Sequence, residues 1–406
     1  MKNYFNSLTA ALLLLTLVPK IGIATAQDVT ITIKSDEKAE VEVKPDLDPP
    51  FKGVRPAVDV AILLDTSNSM DGLIDQAKTQ LWTIVQQFAR AEKNGKTPSL
   101  RVSVFEYGNS GLPASEGYIR QVVQLTDDLD KVSEALFSLK TNGGDEYCGT
   151  VISEALKRLD WSDKDNSYKT IFIAGNEPFT QGSVDYRNAC KSAIEKGVVV
   201  NTIHCGNYDT GVSTKWKDGA DLAEGEYMNI DQDRKTVHIE TPHDEIIIRL
   251  NAELNKTYLW FGKDDVREGL AQNQVAQDRN ASAASPMSSL SRARSKVSGV
   301  YKNVGRDLVD TFEENESIVN ELDDAELPDN MKEMTVEERK AHVQKQASAR
   351  GEIQVKIKEA TAARDKFIAA KRKEMANASG EATLGDAMSA AVVRQLKSAG
   401  FKLKDQ

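Results

Sequence analysis

Three oxygen-bearing side chains, Asp65, Ser67 and Ser69, alternate at the end of the stretch Val58-Asp-Val-Ala-Ile-Leu-Leu-Asp-Thr-Ser-Asn-Ser-Met70. Alternate residues of an extended segment point the same way, so these three oxygens can converge on one point. One carboxylate with two hydroxyls is a hard, weakly charged donor set. It suits Mg2+ or Mn2+, with Mg2+ keeping several waters and few protein anions. The plainer alternative is that Ser67 and Ser69 only cap a following helix. Hydrolysis at such an ion is the least supported chemistry, because no nucleophile–base pair, glycine-rich phosphate loop or second carboxylate cluster accompanies it.

The elements that must hold these oxygens follow from periodicity. The apolar run before Asp65 has strand length, and a strand without polar alternation is buried on both faces, as in a parallel sheet covered by helices. Polar groups at the carboxyl end of such a strand sit where open α/β sheets bind ligands. From residue 58 to 262 strand-like and helix-like segments alternate, which predicts an α/β fold with a doubly wound, mostly parallel sheet. Strands are expected over 100–105, 120–125 (an edge), 170–174, 198–204 and 226–230. Helices are expected from Leu73, Ile74, Ala77, Leu81, Ile84, Val85 and Phe88, and over 129–139 and 244–254.

This arrangement, with Asp65, Ser67 and Ser69 between strand and helix, resembles the metal-ion-dependent adhesion site of von Willebrand factor type A (vWA) domains, a Rossmann-like fold. Two further stretches carry the resemblance. Asn142-Gly-Gly-Asp-Glu146 is similar to the family's second metal-site loop, and Ala174-Gly-Asn-Glu177 to the turn that supplies a distal Asp. The strings from Ile171 to Gly182 and from Asn201 to Gly206 resemble a bacterial exported subfamily with a helical C-terminal extension. The resemblance implies a metal held by Asp65, Ser67 and Ser69, completing its octahedron with a carboxylate from a partner protein. Two positions depart from the pattern. Where the family offers a Thr hydroxyl, this chain has Asp145, Glu146 and Tyr147, so Glu146 or Asp145 is the expected replacement, ahead of Thr141 and Thr150. Asn176 stands where an Asp is usual, with Glu177 able to supply the missing charge.

Composition limits the rest. At 406 residues with a net charge of −10, the chain lacks the basic footprint of a nucleic-acid binder. Residues 1–26 read as a signal peptide, with Lys2, an apolar run over 8–18 too short to span a bilayer, and Ala24-Thr-Ala26 as cleavage site. The expected location is periplasmic or secreted, with no transmembrane segment. Residues 27–57 read as a short β segment and Pro-rich linker. Of the three cysteines, height in the sheet favours a Cys148–Cys205 bridge, and three free thiols remain the alternative.

Residues 263–406 read as a helical extension of long antiparallel helices. A neck at 281–286, a helix over 288–322, a corner, and a helix opening at Thr335 with a capping box and running to about 375 are expected. The first long helix is acidic and the second basic. Self-pairing of the two is the plain reading, and association of the basic face with an anionic envelope surface is the sharper one. The neck suggests that 54–262 folds without the extension. Function is thus read as a non-enzymatic module that captures a protein through its metal. The alternative is a structural helical scaffold with a vestigial site.

Overall fold

The computed structural model describes residues 55–70, 82, 84–163, 167–230, 239–375 and 384–404. The signal-peptide reading, nearly all of the β segment and linker read over 27–57, and Leu73, Ile74, Ala77 and Leu81 lie outside these residues.

Strands β1 (Ala57–Asp65), β3 (Ser99–Tyr107), β4 (Ile119–Thr126), β5 (Ser167–Gly175), β6 (Val198–Cys205) and β7 (Tyr227–Ile230) form one sheet in the order β4-β3-β1-β5-β6-β7. All neighbours are parallel except β4, which runs antiparallel to β3 at an edge. β1 lies in the interior and all nine of its residues are buried, as its uninterrupted apolarity requires. Strand order reverses between β1 and β5, so the switch point of this sheet opens beside Asp65. A second, two-stranded antiparallel sheet joins β2 (Ala91–Glu92) to β8 (Lys402–Leu403).

Along β1 the pleat sorts side chains between two cores. Ala61 and Leu63 join a cluster covered by α3 (Cys148–Arg158), α4 (Tyr186–Glu195) and Trp216 of α6 (Trp216–Leu222). Val58, Val60, Ile62 and Leu64 join the other, covered by α1 (84–90), α2 (Leu129–Ser138) and α7 (Asp244–Asn255). Burying each Val, Leu or Ile here is worth roughly 1.5–3 kcal/mol. In sequence, the short α5 (Tyr208–Ser213) lies between β6 and α6.

The helical extension comprises α8 (Asp264–Ala284), α9 (Pro286–Lys296), α10 (Leu308–Glu314), α11 (Ile318–Glu321), α12 (Val336–Met375) and α13 (Leu384–Ser398). It departs from expectation in two ways. The helix expected over 288–322 ends at Lys296, because Gly299 and the left-handed Gly305 open a turn. Asp307 then caps a new helix, accepting from the Asp310 backbone N–H at 3.0 Å. The extension is also not a separate bundle. Leu290, Ala293, Tyr301, Ile357, Ala391, Val392 and Leu396 complete the apolar cluster on the α2 and α7 face of the sheet, and Val54–Gln406 is one compact unit. Packing therefore disfavours the expected independence of 54–262. The neck is a tight helix junction, with Ser285 capping α9 through the Ser288 N–H and Pro286 in the first turn.

The charge blocks meet in part. α12 opens with its capping box, Glu338 N–H to Thr335 Oγ1 at 3.3 Å and Thr335 N–H to Glu338 Oε2 at 2.8 Å. Its Arg339 pairs with Asp324, and Arg350 with Asp307 and Asp310. The acidic partner is a series of short turns, and α12 also packs on α7 and α9. Among the described residues no helix is long and apolar enough to cross a membrane.

Candidate metal centre

Asp65 ends β1 and is fully buried. Its Oδ1 accepts the Ser67 backbone N–H at 2.7 Å, which folds the next residues back over the strand end. Thr66 locks the turn, its N–H donating to the Tyr107 carbonyl at 2.9 Å and its hydroxyl to Glu106 Oε2 at 3.2 Å. The Ser67 and Ser69 hydroxyls then meet at 2.8 Å, and Ser69 Oγ donates to Asn176 Oδ1 at 2.9 Å. This last bond crosses from the β1 loop to the β5 turn, over the switch point. The serines are therefore held by each other and by Asn176, in a short 3-10 turn over Asn68–Met70.

The loop between α2 and α3 forms the third wall. Asn142 N–H donates to the Thr66 carbonyl at 2.9 Å, and Ser110 N–H to the Gly143 carbonyl at 2.6 Å. Gly144 lies so close to Gly108 that a Cβ would sit 2.5 Å from its carbonyl oxygen. This docking sorts the two acids left open by the sequence. Glu146 turns inward and is buried, its N–H donating to Gln181 Oε1 at 2.8 Å. Asp145 turns outward, exposed, and accepts from the Tyr147 hydroxyl at 3.1 Å. Thr150 sits in the first turn of α3 against Gly117, away from the serines. Glu177 is half-buried beside Asn176, and its charge acts on both Asp65 and Glu146.

The electrostatics of this pocket of oxygens are unbalanced. Burial pushes the Asp65 carboxyl up to about 6, opposed chiefly by hydrogen bonding from Ser67. Burial and the nearby Asp65 charge push Glu146 up to about 7, and the Ser67 hydroxyl lowers it. Asp65 Oδ2 is buried with no hydrogen-bond partner. A buried acceptor left unsatisfied is costly, and two adjacent carboxylates repel. A cation placed between them would relieve both. Backbone is cleared for this cradle, since a Cβ on Gly108 would meet Asp65 Oδ1 at 2.8 Å and Glu146 Cγ at 2.7 Å. Among the described residues no group of three or more His, Cys, Asp and Glu side chains gathers as a metal cluster. The set that does gather, Asp65, Ser67, Ser69, Glu146 and Asn176, is an oxygen set with hydroxyls. Those residues fit a hard divalent ion.

Thr66 and Gly108 had no site role in the sequence reading; Gly144 entered only within the Asn142-Gly-Gly-Asp-Glu146 loop, and Gln181 only within the string from Ile171 to Gly182. Gln181 lies 35 positions from the loop it anchors, and no local pattern marks it.

All three cysteines are free and buried, so the Cys148–Cys205 bridge is not formed. Cys148 belongs to the core on the α3 side and Cys205 to the core on the opposite face, with the sheet between them. Cys148 instead lies 3.7 Å from the Tyr107 hydroxyl, which donates to the Ala174 carbonyl.

Comparison with known proteins agrees with this geometry. A family profile described as the von Willebrand factor type A domain matches residues 59–219. A search of curated proteins gave no match. Among solved structures, the conserved hypothetical protein BatB from Bacteroides thetaiotaomicron is 17% identical, over 43% of this chain and 91% of its own, with a TM-score of 0.33. The SpRpn10 VWA domain is 17% identical over 44% and 90%, with a TM-score of 0.34. Proximal thread matrix protein 1 from the mussel byssus, in a structure with a zinc-occupied MIDAS motif, is 14% identical over 44% and 43%, at 0.33. Residues 59–219 of this chain are a von Willebrand factor type A domain.

Proposed function

We propose that this protein binds a partner protein through one divalent cation, Mg2+ or Mn2+, held by Asp65, Ser67 and Ser69 with Glu146 and Asn176 around it. The observation that carries this reading is the unpartnered, buried Oδ2 of Asp65 beside a chain of hydroxyls that ends on Asn176. The cation would lie at the rim of the sheet, among loops from β1, β3 and β5, where an oxygen from outside the chain can reach it. A carboxylate from the partner is the ligand of matching charge. No catalytic role is assigned. Location outside the cytoplasm, periplasmic or secreted, rests on the leader sequence.

The test is capture of partners by the full chain from the envelope fraction of its source. Capture should occur in Mg2+, be lost in EDTA, and be lost in the Ser67→Ala/Ser69→Ala double variant. Capture that survives both would move binding to the helical extension and support the scaffold reading.

A further inference from the structure

Resting on the metal-centre reading above, we propose that Glu146 is a built-in anionic ligand, so that the cation is charge-satisfied within the chain and a partner's carboxylate binds by displacing Glu146. The neutral hydroxyls of Ser67 and Ser69 with Asp65 alone would leave a divalent ion with one uncompensated positive charge. Glu146 supplies the second negative charge from inside. Glu146 is 5% exposed, and it lies against Gly108 together with the Asp65 carboxylate. The missing Cβ of Gly108 leaves the space where both acids approach.

The placement is fixed by backbone contacts that precede any ligand. Asn142, Gly143 and Gly144 are docked on Thr66, Ser110 and Gly108, and the Glu146 N–H is anchored on Gln181. The neighbouring Asp145 is held outward by Tyr147. One acid of the pair thus serves the cradle and the other faces solvent, where an approaching carboxylate meets it first. Two consequences follow. Cation affinity is higher than hydroxyl ligands would give, and affinity for an external carboxylate is lower.

Mn2+ titration of the full chain, followed by electron paramagnetic resonance and water-proton relaxation, separates these effects. The wild type should bind one Mn2+. Glu146→Ala and the shape-preserving Glu146→Gln should bind it at least tenfold more weakly. In Glu146→Ala the bound ion should gain water, with higher relaxation enhancement. Acetate should then remove that enhancement at severalfold lower concentration than in the wild type. If the wild type binds Mn2+ while both variants keep its affinity and hydration, Glu146 is not a ligand and this inference fails alone. Equal sensitivity to acetate in wild type and Glu146→Ala overturns the displacement. No Mn2+ binding by the wild type, or unchanged binding by Ser67→Ala/Ser69→Ala, overturns the metal centre and this inference with it.

Discussion

Two groups of buried carboxylates in this molecule are treated in opposite ways. In the helical extension, Asp278 is surrounded by cations: Arg292 at 2.5 Å, Lys296 at 3.3 Å, and amides of Asn251 and Asn255. Although burial opposes it, Lys296 and Arg292 hold its carboxyl below the ordinary range. Arg292 also meets Asp130 of α2 at 2.8 Å and stacks on Trp82. At the metal centre, the main influences on Asp65 and Glu146 are burial, hydroxyls, backbone N–H groups and other carboxylates, and both carboxyls rise. The chain thus supplies its own counter-charge where the acids serve packing and withholds it at the sheet rim. On the proposed function, the counter-charge missing at the rim is the cation.

A third cluster lies between these extremes and gives the strongest test. Asp307 and Asp310 share one guanidinium, Arg350, at 2.7 and 3.0 Å, and Arg350 stacks on Tyr258. Arg350→Met should leave both acids buried without their main partner and cost about 3–5 kcal/mol, read by urea denaturation. A loss under 1 kcal/mol would erase the contrast between the two regions. Next in size, Mg2+ at a hundred times its dissociation constant should stabilise the wild type by about 2.7 kcal/mol. Asp65→Asn should show no such shift in thermal unfolding.

A pH scan sharpens the comparison from the other side. Burial pulls the Lys296 ammonium down to about 8, against the attraction of Asp278. Between about pH 8 and 10 the unfolded chain holds a proton that the folded chain has released, so this group makes stability rise with pH. The rise should be about 1–2 kcal/mol, and Lys296→Met should flatten it. A slope that persists in that variant would assign the effect elsewhere. The smallest effect concerns the rim itself. In chelator, Glu146→Gln should gain about 1 kcal/mol by removing a buried like charge beside Asp65. A loss of stability instead would show that the acid serves packing.

Much of this was readable from residue order. The apolarity of β1 placed it inside the sheet, and the spacing of Asp65, Ser67 and Ser69 placed three oxygens at its end. The choice between Asp145 and Glu146 was not readable, because it depends on how closely Gly144 packs on Gly108 across 36 positions of chain. Height gave no lateral information for the cysteines. The side-chain parity of β6, with Val198 and Val200 on one face and Ile203 and Cys205 on the other, separates Cys205 from Cys148. The docking of the extension was hidden for a different reason. α12 buries scattered apolar residues such as Val343 and Ile357 within a mostly polar sequence, and part of its hold on the sheet domain comes from buried arginines, Arg350 and Arg364, which composition alone reads as solvent-facing.

The pairing of β2 with β8 has a consequence for how the molecule is made. Lys404 N–H donates to the Arg90 carbonyl at 3.0 Å across 314 positions, and Phe401 fills the core on the α2 and α7 face beneath Lys93. Contacts of such sequence separation form late, since the loop entropy must be met before they gain anything. One face of the sheet therefore stays open until residue 404 is free to dock. A chain with that property remains pliable over most of its synthesis and closes in one late step.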